Sequence, residues 1–483
     1  MKKTFISNLI LLMSVNLLIK PFWILGIDRS VQNAVGYEEY GTYIVLLYFS
    51  MLFITLLDLG INTYTSSNIA QNPDKLRQEF AALTTFKLAS SFLYIAITIS
   101  LGMLNGFDSY RIKLLWILGL NQILSYFYTY FRSIVGGLQL FKTDAILSVV
   151  DRCLMIILCS LMLWFGVAEM TITHFIMAQT IAYTAAVFIS FMVIKSHLHA
   201  LQWSFNKVLL LKVIKQMLPY ALLSLTMTFY TRMDVILLEK LLPDGYYQSG
   251  IYASAYRLLE AANMMAALVS MLLLPIFSRM LSNKENISPL LQFSTGIMIL
   301  PAFAFSIACF IYRQPIIELL NNHSTTYAGS IFGYVILSFI PLSTMYVYGT
   351  LLTANGNLRT LNILAVTALF INLLLNFILI RNMKAEGAAI TALCTQTFIG
   401  LSNFYFGKKI VRINFDRDFV KKFFSSLGLI AILAVGTNYF ITSWYLGILL
   451  IGSGSLLIMI IFKIIDLKQG LLLVRSRFSE KSS

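Results

Sequence analysis

Stretches of about 20 apolar residues, long enough to cross a bilayer as a helix, recur along the whole of this 483-residue sequence. No other feature constrains its fold so strongly. A hydrocarbon core offers no water to a polar backbone, so each spanning segment has to satisfy its own N–H and C=O groups, and a helix does so. Such segments lie near residues 5–27, 41–67, 80–104, 113–137, 145–166, 171–194, 213–238, 247–277, 289–312, 327–354, 358–380, 386–407, 420–441 and 444–465. Charged residues are 12% of the chain, against about 25% in soluble proteins. The expected class is an all-α integral membrane protein of about fourteen transmembrane helices. Its start, "MKKTFISNLILLMSVNLLIK", is basic and then apolar. No small-x-small cleavage site follows, and the apolar run continues through Pro21 to Ile27, so it reads as a first span and not as a cleaved leader.

The turns between segments are short, and no soluble domain is inserted. The formal charge of +15 would suggest nucleic acid in a soluble protein. Here it reads as topology, because cytoplasmic loops collect Lys and Arg, and no nucleic-acid partner is expected. With the first residues inside, 24 of the 36 Lys and Arg fall in inner segments and 7 in outer turns, which places both termini in the cytoplasm. Cys153, Cys159, Cys309 and Cys394 lie within apolar runs without paired spacing and read as packing residues.

The chain also repeats itself. "GYEEYGTYIVLLY" (36–48) and "GYYQSGIYASAYR" (245–257) share Gly-Tyr and Gly-x-Tyr at an offset of 209. "AEMTITHFIMAQT" (168–180) and "AEGAAITALCTQT" (385–397) share Ala-Glu and Gln-Thr at an offset of 217. Two matches in one order imply a six-helix lobe over 1–200, a second over 201–410, and two appended helices with a tail over 411–483. Six spans is an even number, so both lobes enter the membrane in the same sense, as in transporters built from parallel repeats.

No phosphate-binding Gly-x4-Gly-Lys-Ser/Thr, Gly-x-Ser-x-Gly or His-Glu-x-x-His pattern occurs. His197 and His199 read as a solvated basic loop, with no metal site. Outer turns this short argue against a membrane glycosyltransferase or polymerase. The chemistry rests instead on charges within spans, each costing roughly 2.5–3.5 kcal/mol at a helix centre. Arg257 lies near the midplane of the eighth span, and Glu260, one turn on, faces the same side. Arg257 is the leading candidate to line a lumen, the alternative being a structural ion pair. Glu260 either neutralises it or titrates. Arg232 and Asp234, at i,i+2, do not share a face; Arg232 lines a lumen or snorkels, and Asp234 is expected to meet a neighbouring helix. Lys20 precedes Pro21, where a kink is expected, with a snorkelling lysine as the alternative. Asp58 in "LLDLGINTYTSSN" reads as a cavity mouth or as ordinary capping. Lys87, Asp151 and Arg152 read as snorkelling residues or local pairs.

The outer-turn "EEYGTY", the "LLDLG" that follows and "TRMDVILLEKLLPDGYYQSGIYASAYRLLE" resemble the Wzx-type O-antigen and polysaccharide flippases of the multidrug/oligosaccharidyl-lipid/polysaccharide superfamily, over residues 1–410. The resemblance implies a bacterial inner-membrane transporter with no enzymatic activity. Its substrate would be an undecaprenyl-diphosphate-linked oligosaccharide, moved between leaflets by two rocking lobes around a cationic lumen, here Arg257, Arg232 and Lys20. Bilayer lipid, a polysaccharide polymerase and a chain-length regulator are the implied partners. No cofactor is expected beyond coupling to protons or sodium, for which Glu260, Asp234 and Asp58 are candidates. A cation-coupled multidrug exporter of the same superfamily stays open, since it would use carboxylates. So does a membrane scaffold without transport of its own.

Overall fold

The computed structural model describes residues 14–16, 18–72, 75–196, 207–322 and 324–464. The expected start of the first span, His197 and His199, and the tail from 465 lie outside the described residues. Ten helical stretches are long and apolar enough to cross a membrane, and the pair Ser14–Met51 and Thr55–Ser66, bent by 46°, makes an eleventh. Two of these divide further. Ser14–Met51 turns at Gly36, where φ 82° and ψ 173° are open to glycine alone, and Leu358–Val411 turns at Lys384 (φ 52°, ψ −132°). With Ser109–Gly137, and setting aside the eight-residue helix Arg313–Leu320, fourteen long helices result among the described residues, in agreement with the sequence expectation. They are α1 (14–35), α2 (37–71), α3 (Lys75–Leu104), α4 (Ser109–Gly137), α5 (Phe141–Leu163), α6 (Ile172–Lys195) and α7 (Lys207–Leu241), followed by α8 (Gly245–Ser282), α9 (Ser288–Ile311), α10 (Thr326–Ala354), α11 (358–383), α12 (385–411), α13 (Arg417–Phe440) and α14 (Trp444–Ile461).

Local sequence sets several of the boundaries. Asp108, Thr171, Thr325 and Asp416 stand immediately before α4, α6, α10 and α13. Each accepts a hydrogen bond from a backbone N–H of the first turn, satisfying one of the donors that a helix start leaves open. Other sequence features interrupt helices. After Pro21, residues Trp23–Asp28 of α1 are π-helical, a bulge that re-aims the side chains around it. α2 is broken twice: it runs to Met51, resumes as Thr55–Asp58, and resumes again as Ile61–Gln71, with Leu59 (φ 44°) and Gly60 (φ 82°) left-handed at the second break.

The described contacts group into two compact units, residues 1–257 with 376–385, and residues 258–375 with 386–483. In the first, the inner part of α2 packs on α3, α4, α5 and α6 through Ile61, Phe80, Tyr130, Ile134, Leu147 and Ile194. Here too the beginnings of α2 and α8 cross at backbone contact. A Cβ on Gly41 would meet the carbonyl oxygen of Tyr246, and one on Gly250 would meet that of Tyr37. These four residues are the repeat partners 37/246 and 41/250, so the contact is reciprocal. Gln32 Nε2 also donates to Gly250 O at 3.1 Å. In the second unit α9 packs against α13 and α14 through Leu300, Ala304, Ile430, Met459 and Ile464.

Candidate functional site

Four polar centres lie inside the first unit. The first joins α1, α2 and α8. Arg257 stands roughly 18 Å along α8 at 1.5 Å per residue, and its Nε is 2.7 Å from Asp28 Oδ2, with the two side chains 14% and 4% exposed. Its Nη2 donates to Tyr40 Oη, and Tyr40 Oη donates to the same Asp28 Oδ2 at 2.8 Å. Guanidinium, phenol and carboxylate thus close a triangle. Asp28 is the last residue of the π-helical segment, and Tyr40 belongs to the repeated Gly-Tyr stretch.

The first apolar run, 5–27, stops one residue short of Asp28, and Glu260 is the partner expected from sequence for Arg257. The structure places Asp28 in the helix, because the turn narrows to Gly36, and it puts Asp28 against Arg257. Glu260 is half-buried on α8 in the second unit. Pro21 followed by "FWILGID" is the signal that could have marked the bulge and, with it, the inward carboxylate.

A second polar centre continues from the triangle among α1, α2, α4, α5 and α6. Tyr40 and Tyr43 have ring centroids 5.7 Å apart, and Gln179 Nε2 donates to Tyr43 Oη at 3.0 Å. The guanidinium of Arg152 lies 5.5 Å from the Trp23 ring, its Nε 3.4 Å from Asp151 Oδ2, which is the local pair expected for these residues. Half-buried Lys20 feels the charges of Arg152, Arg132 and Asp151. Arg132 in turn donates to Asp144 at 2.9 Å. Two guanidinium groups are thereby placed inside one bundle, Arg152 and Arg132, each within reach of a carboxylate and an aromatic face.

The third centre is Asp234 on α7, which is buried. It accepts from Tyr252 Oη at 3.0 Å and from Asn376 Nδ2 at 2.7 Å, so it meets neighbouring helices as anticipated. Arg232, two residues earlier, turns away and lies over Tyr48, 4.3 Å from the ring centroid.

The fourth centre is the broken part of α2. Lys87 of α3 is 1% exposed, and its Nζ stands 3.9 Å from Asp58 Oδ1. The same Nζ donates to Leu57 O at 2.8 Å and lies 5.2 Å from the Tyr130 ring. Asp58 Oδ1 also accepts from Asn62 N at 3.1 Å. The expectation that Lys87 snorkels or pairs locally is therefore corrected. Its ammonium points inward and crosses to another helix, because the break in α2 offers a carbonyl and a carboxylate that a continuous helix would not. A cavity of about 170 Å³ adjoins Asp58, between α2, α4 and α7.

At the turn between α7 and α8 the pair of Asp244 with Lys384 is exposed. Asp244 accepts from Gln248 at 2.8 Å and from Lys384 at 2.9 Å. Burial tends to raise the Asp244 pKa, but these hydrogen bonds and the lysine charge outweigh it and hold the carboxyl below its ordinary value.

Comparison with known proteins gives three findings. The family described as polysaccharide biosynthesis protein matches residues 5–281. No curated protein matches the sequence. Among solved structures, the lipid II flippase MurJ in an inward closed conformation is similar at a TM-score of 0.73 and 16% identity, covering 96% of this chain and 100% of that one. An inward-facing multidrug resistance MATE family transporter of the MOP superfamily is similar at 0.66 and 13%, covering 84% and 98%. The Vibrio cholerae MATE transporter VcmN in its bent form is similar at 0.55 and 16%, covering 84% and 97%. At these identities the likeness is one of fold.

Proposed function

Because the chain belongs to the polysaccharide biosynthesis protein family, we propose that it is a multi-pass inner-membrane flippase. It moves an undecaprenyl-diphosphate-linked oligosaccharide from the cytoplasmic to the periplasmic leaflet for surface polysaccharide, and carries out no enzymatic step. Residues 1–200 and 201–410 are the two lobes, 411–483 the appended helices and tail, and both termini are cytoplasmic. The observation that carries this reading is Arg257, a guanidinium in the membrane interior held by Asp28 and Tyr40. A diphosphate presents the planar, anionic oxygen pairs that a guanidinium binds in bidentate fashion. Asp28 keeps that cation neutralised until substrate displaces it. Arg232 and Lys20 supply further positive charge along the way, while the polyprenyl tail stays in lipid.

Coupling to protons or sodium goes through carboxylates, and Asp234 is the first choice, since its oxygens already collect a phenol and an amide. Glu260 is another candidate, and so is Asp58, for a proton only, since the Lys87 ammonium beside it would compete with sodium. A polymerase and a chain-length regulator would receive the product. The buried carboxylates Asp28 and Asp234 are what favour the second reading, a cation-coupled drug exporter.

Deleting the gene separates the two. A flippase leaves its lipid-linked oligosaccharide accumulating in the inner leaflet, measured by extraction and mass spectrometry. No accumulation, together with new sensitivity to cationic dyes, overturns the proposal in favour of the exporter.

A further inference from the structure

The cavity beside Asp58 has a composition that selects its ligand. At about 170 Å³ it is small beside the roughly 300–1,000 Å³ of pockets for drug-sized molecules, and it fits one compact ring. Its polar wall is Asp58, Thr55 and Thr63 from α2, Tyr126 from α4, and Tyr220 and Ser224 from α7. Charge excludes most ligands. An added cation would compete with the Lys87 ammonium, already 3.9 Å from Asp58. An anion would meet the carboxylate, because Asp58 is the 27% exposed partner and Lys87 the 1% exposed one. What remains is a neutral ligand rich in hydroxyls. A carboxylate accepts hydrogen bonds from hydroxyl groups, and Ser, Thr and Tyr hydroxyls both give and take them. Two tyrosine rings add flat apolar faces for the C–H side of a sugar ring. Thr55 Oγ1 is buried and has no hydrogen-bond partner among the described residues.

We propose that this cavity is a subsite for a single neutral sugar ring of the transported glycan, with Asp58 accepting from its hydroxyls and Tyr126 and Tyr220 bounding its faces. The proposal rests on the flippase reading for its source of sugar. Lys87, hydrogen-bonded to Leu57 O, is a positioning residue: it fixes the broken end of the Thr55–Asp58 helix and so aims the carboxylate.

The test uses the full chain in detergent, titrated with free glucose, N-acetylglucosamine, glucuronate and ethylammonium, with binding read by saturation-transfer NMR. Saturable binding of a neutral sugar is expected, with little for glucuronate or ethylammonium. Ser224→Leu fills the cavity without touching the ion pair and should weaken that binding about tenfold or more. Asp58→Asn should weaken it about tenfold, as for loss of a hydrogen bond to a charged group. Since Asp58→Asn also strands Lys87, Ser224→Leu carries the decision. Absence of saturable neutral-sugar binding overturns the subsite, as does binding that survives Ser224→Leu or that glucuronate matches. The readout is independent of translocation. Accumulation of lipid-linked glycan in the deletion strain with no sugar binding removes this subsite and leaves the flippase. Sugar binding without such accumulation removes the flippase and leaves a neutral-sugar site whose sugar comes from another source.

Discussion

Arg257 makes two commitments at once, to Asp28 and to Tyr40, and its variants should separate charge from geometry. Arg257→Ala should abolish glycan translocation, shown by accumulated lipid-linked oligosaccharide; because it leaves Asp28 unpaired, the double variant Asp28→Ala/Arg257→Met should show the same loss at normal protein level. Arg257→Lys keeps the charge but loses the planar fork, and an intermediate defect is expected. Asp28→Ala strands a cation in a water-poor interior. Breaking such a pair costs about 3–5 kcal/mol, so a large fall in detergent unfolding temperature should follow, and Asp28→Ala/Arg257→Met should recover much of it. Asp244 offers a milder, pH-readable case. Its folded pKa is depressed, so its contribution is complete above the ordinary value of 3.8 and is lost as pH falls through the lowered value. At 38% exposure the bridge to Lys384 contributes less than about 1 kcal/mol. The unfolding temperatures of wild type and Asp244→Asn should therefore differ slightly at neutral pH and converge in acid.

Elements were largely legible in the sequence, since apolar runs of bilayer length left little freedom in where helices fall. Their interruptions were not. "LLDLG" contains a glycine, but nothing in it says that Leu59 as well as Gly60 is left-handed, and without that break Lys87 has no reason to turn inward. Asp28 was missed for a related reason. A charged residue near a span end reads as turn until the π-helical segment and the tight turn at Gly36 are known. Arg257 and Asp234 could be picked out because charges deep in apolar runs are rare. Their partners lie on distant segments, and one sequence does not pair them. Glycines inside regular helix include two contrasting kinds. Gly428 and Gly436 on α13 have nothing near a would-be Cβ, so alanine there should raise the unfolding temperature, by up to about 1 kcal/mol of helix propensity each. Gly41→Val should lower it sharply, because the obstacle is the Tyr246 backbone, which cannot rotate aside.

For the whole molecule, fourteen helices and a fold shared with MurJ and MATE transporters raise the question of what α13 and α14 contribute. They cover α9 through Ile430 and Met459, with Ile464 just past the end of α14, and Gly447 packs directly on Tyr312. Truncation after residue 411 would leave Leu300 and Ala304 without these partners. The shortened chain is expected to aggregate on size-exclusion chromatography in detergent, whereas Phe440→Ala, on an 82% exposed side chain at the end of α13, should elute like the parent.

The reciprocal crossing of Gly41 and Gly250 carries a genetic consequence. Each glycine faces a backbone carbonyl of the other's segment, so added volume at either position drives the same two chains apart. Once they are apart, the second glycine no longer has a neighbour to offend. Defects from Gly41→Ala and Gly250→Ala should then be less than additive, each partly masking the other, in the manner of coupled neighbouring sites. A suppressor of one should suppress the other, and a screen begun at residue 41 should return changes near residue 246.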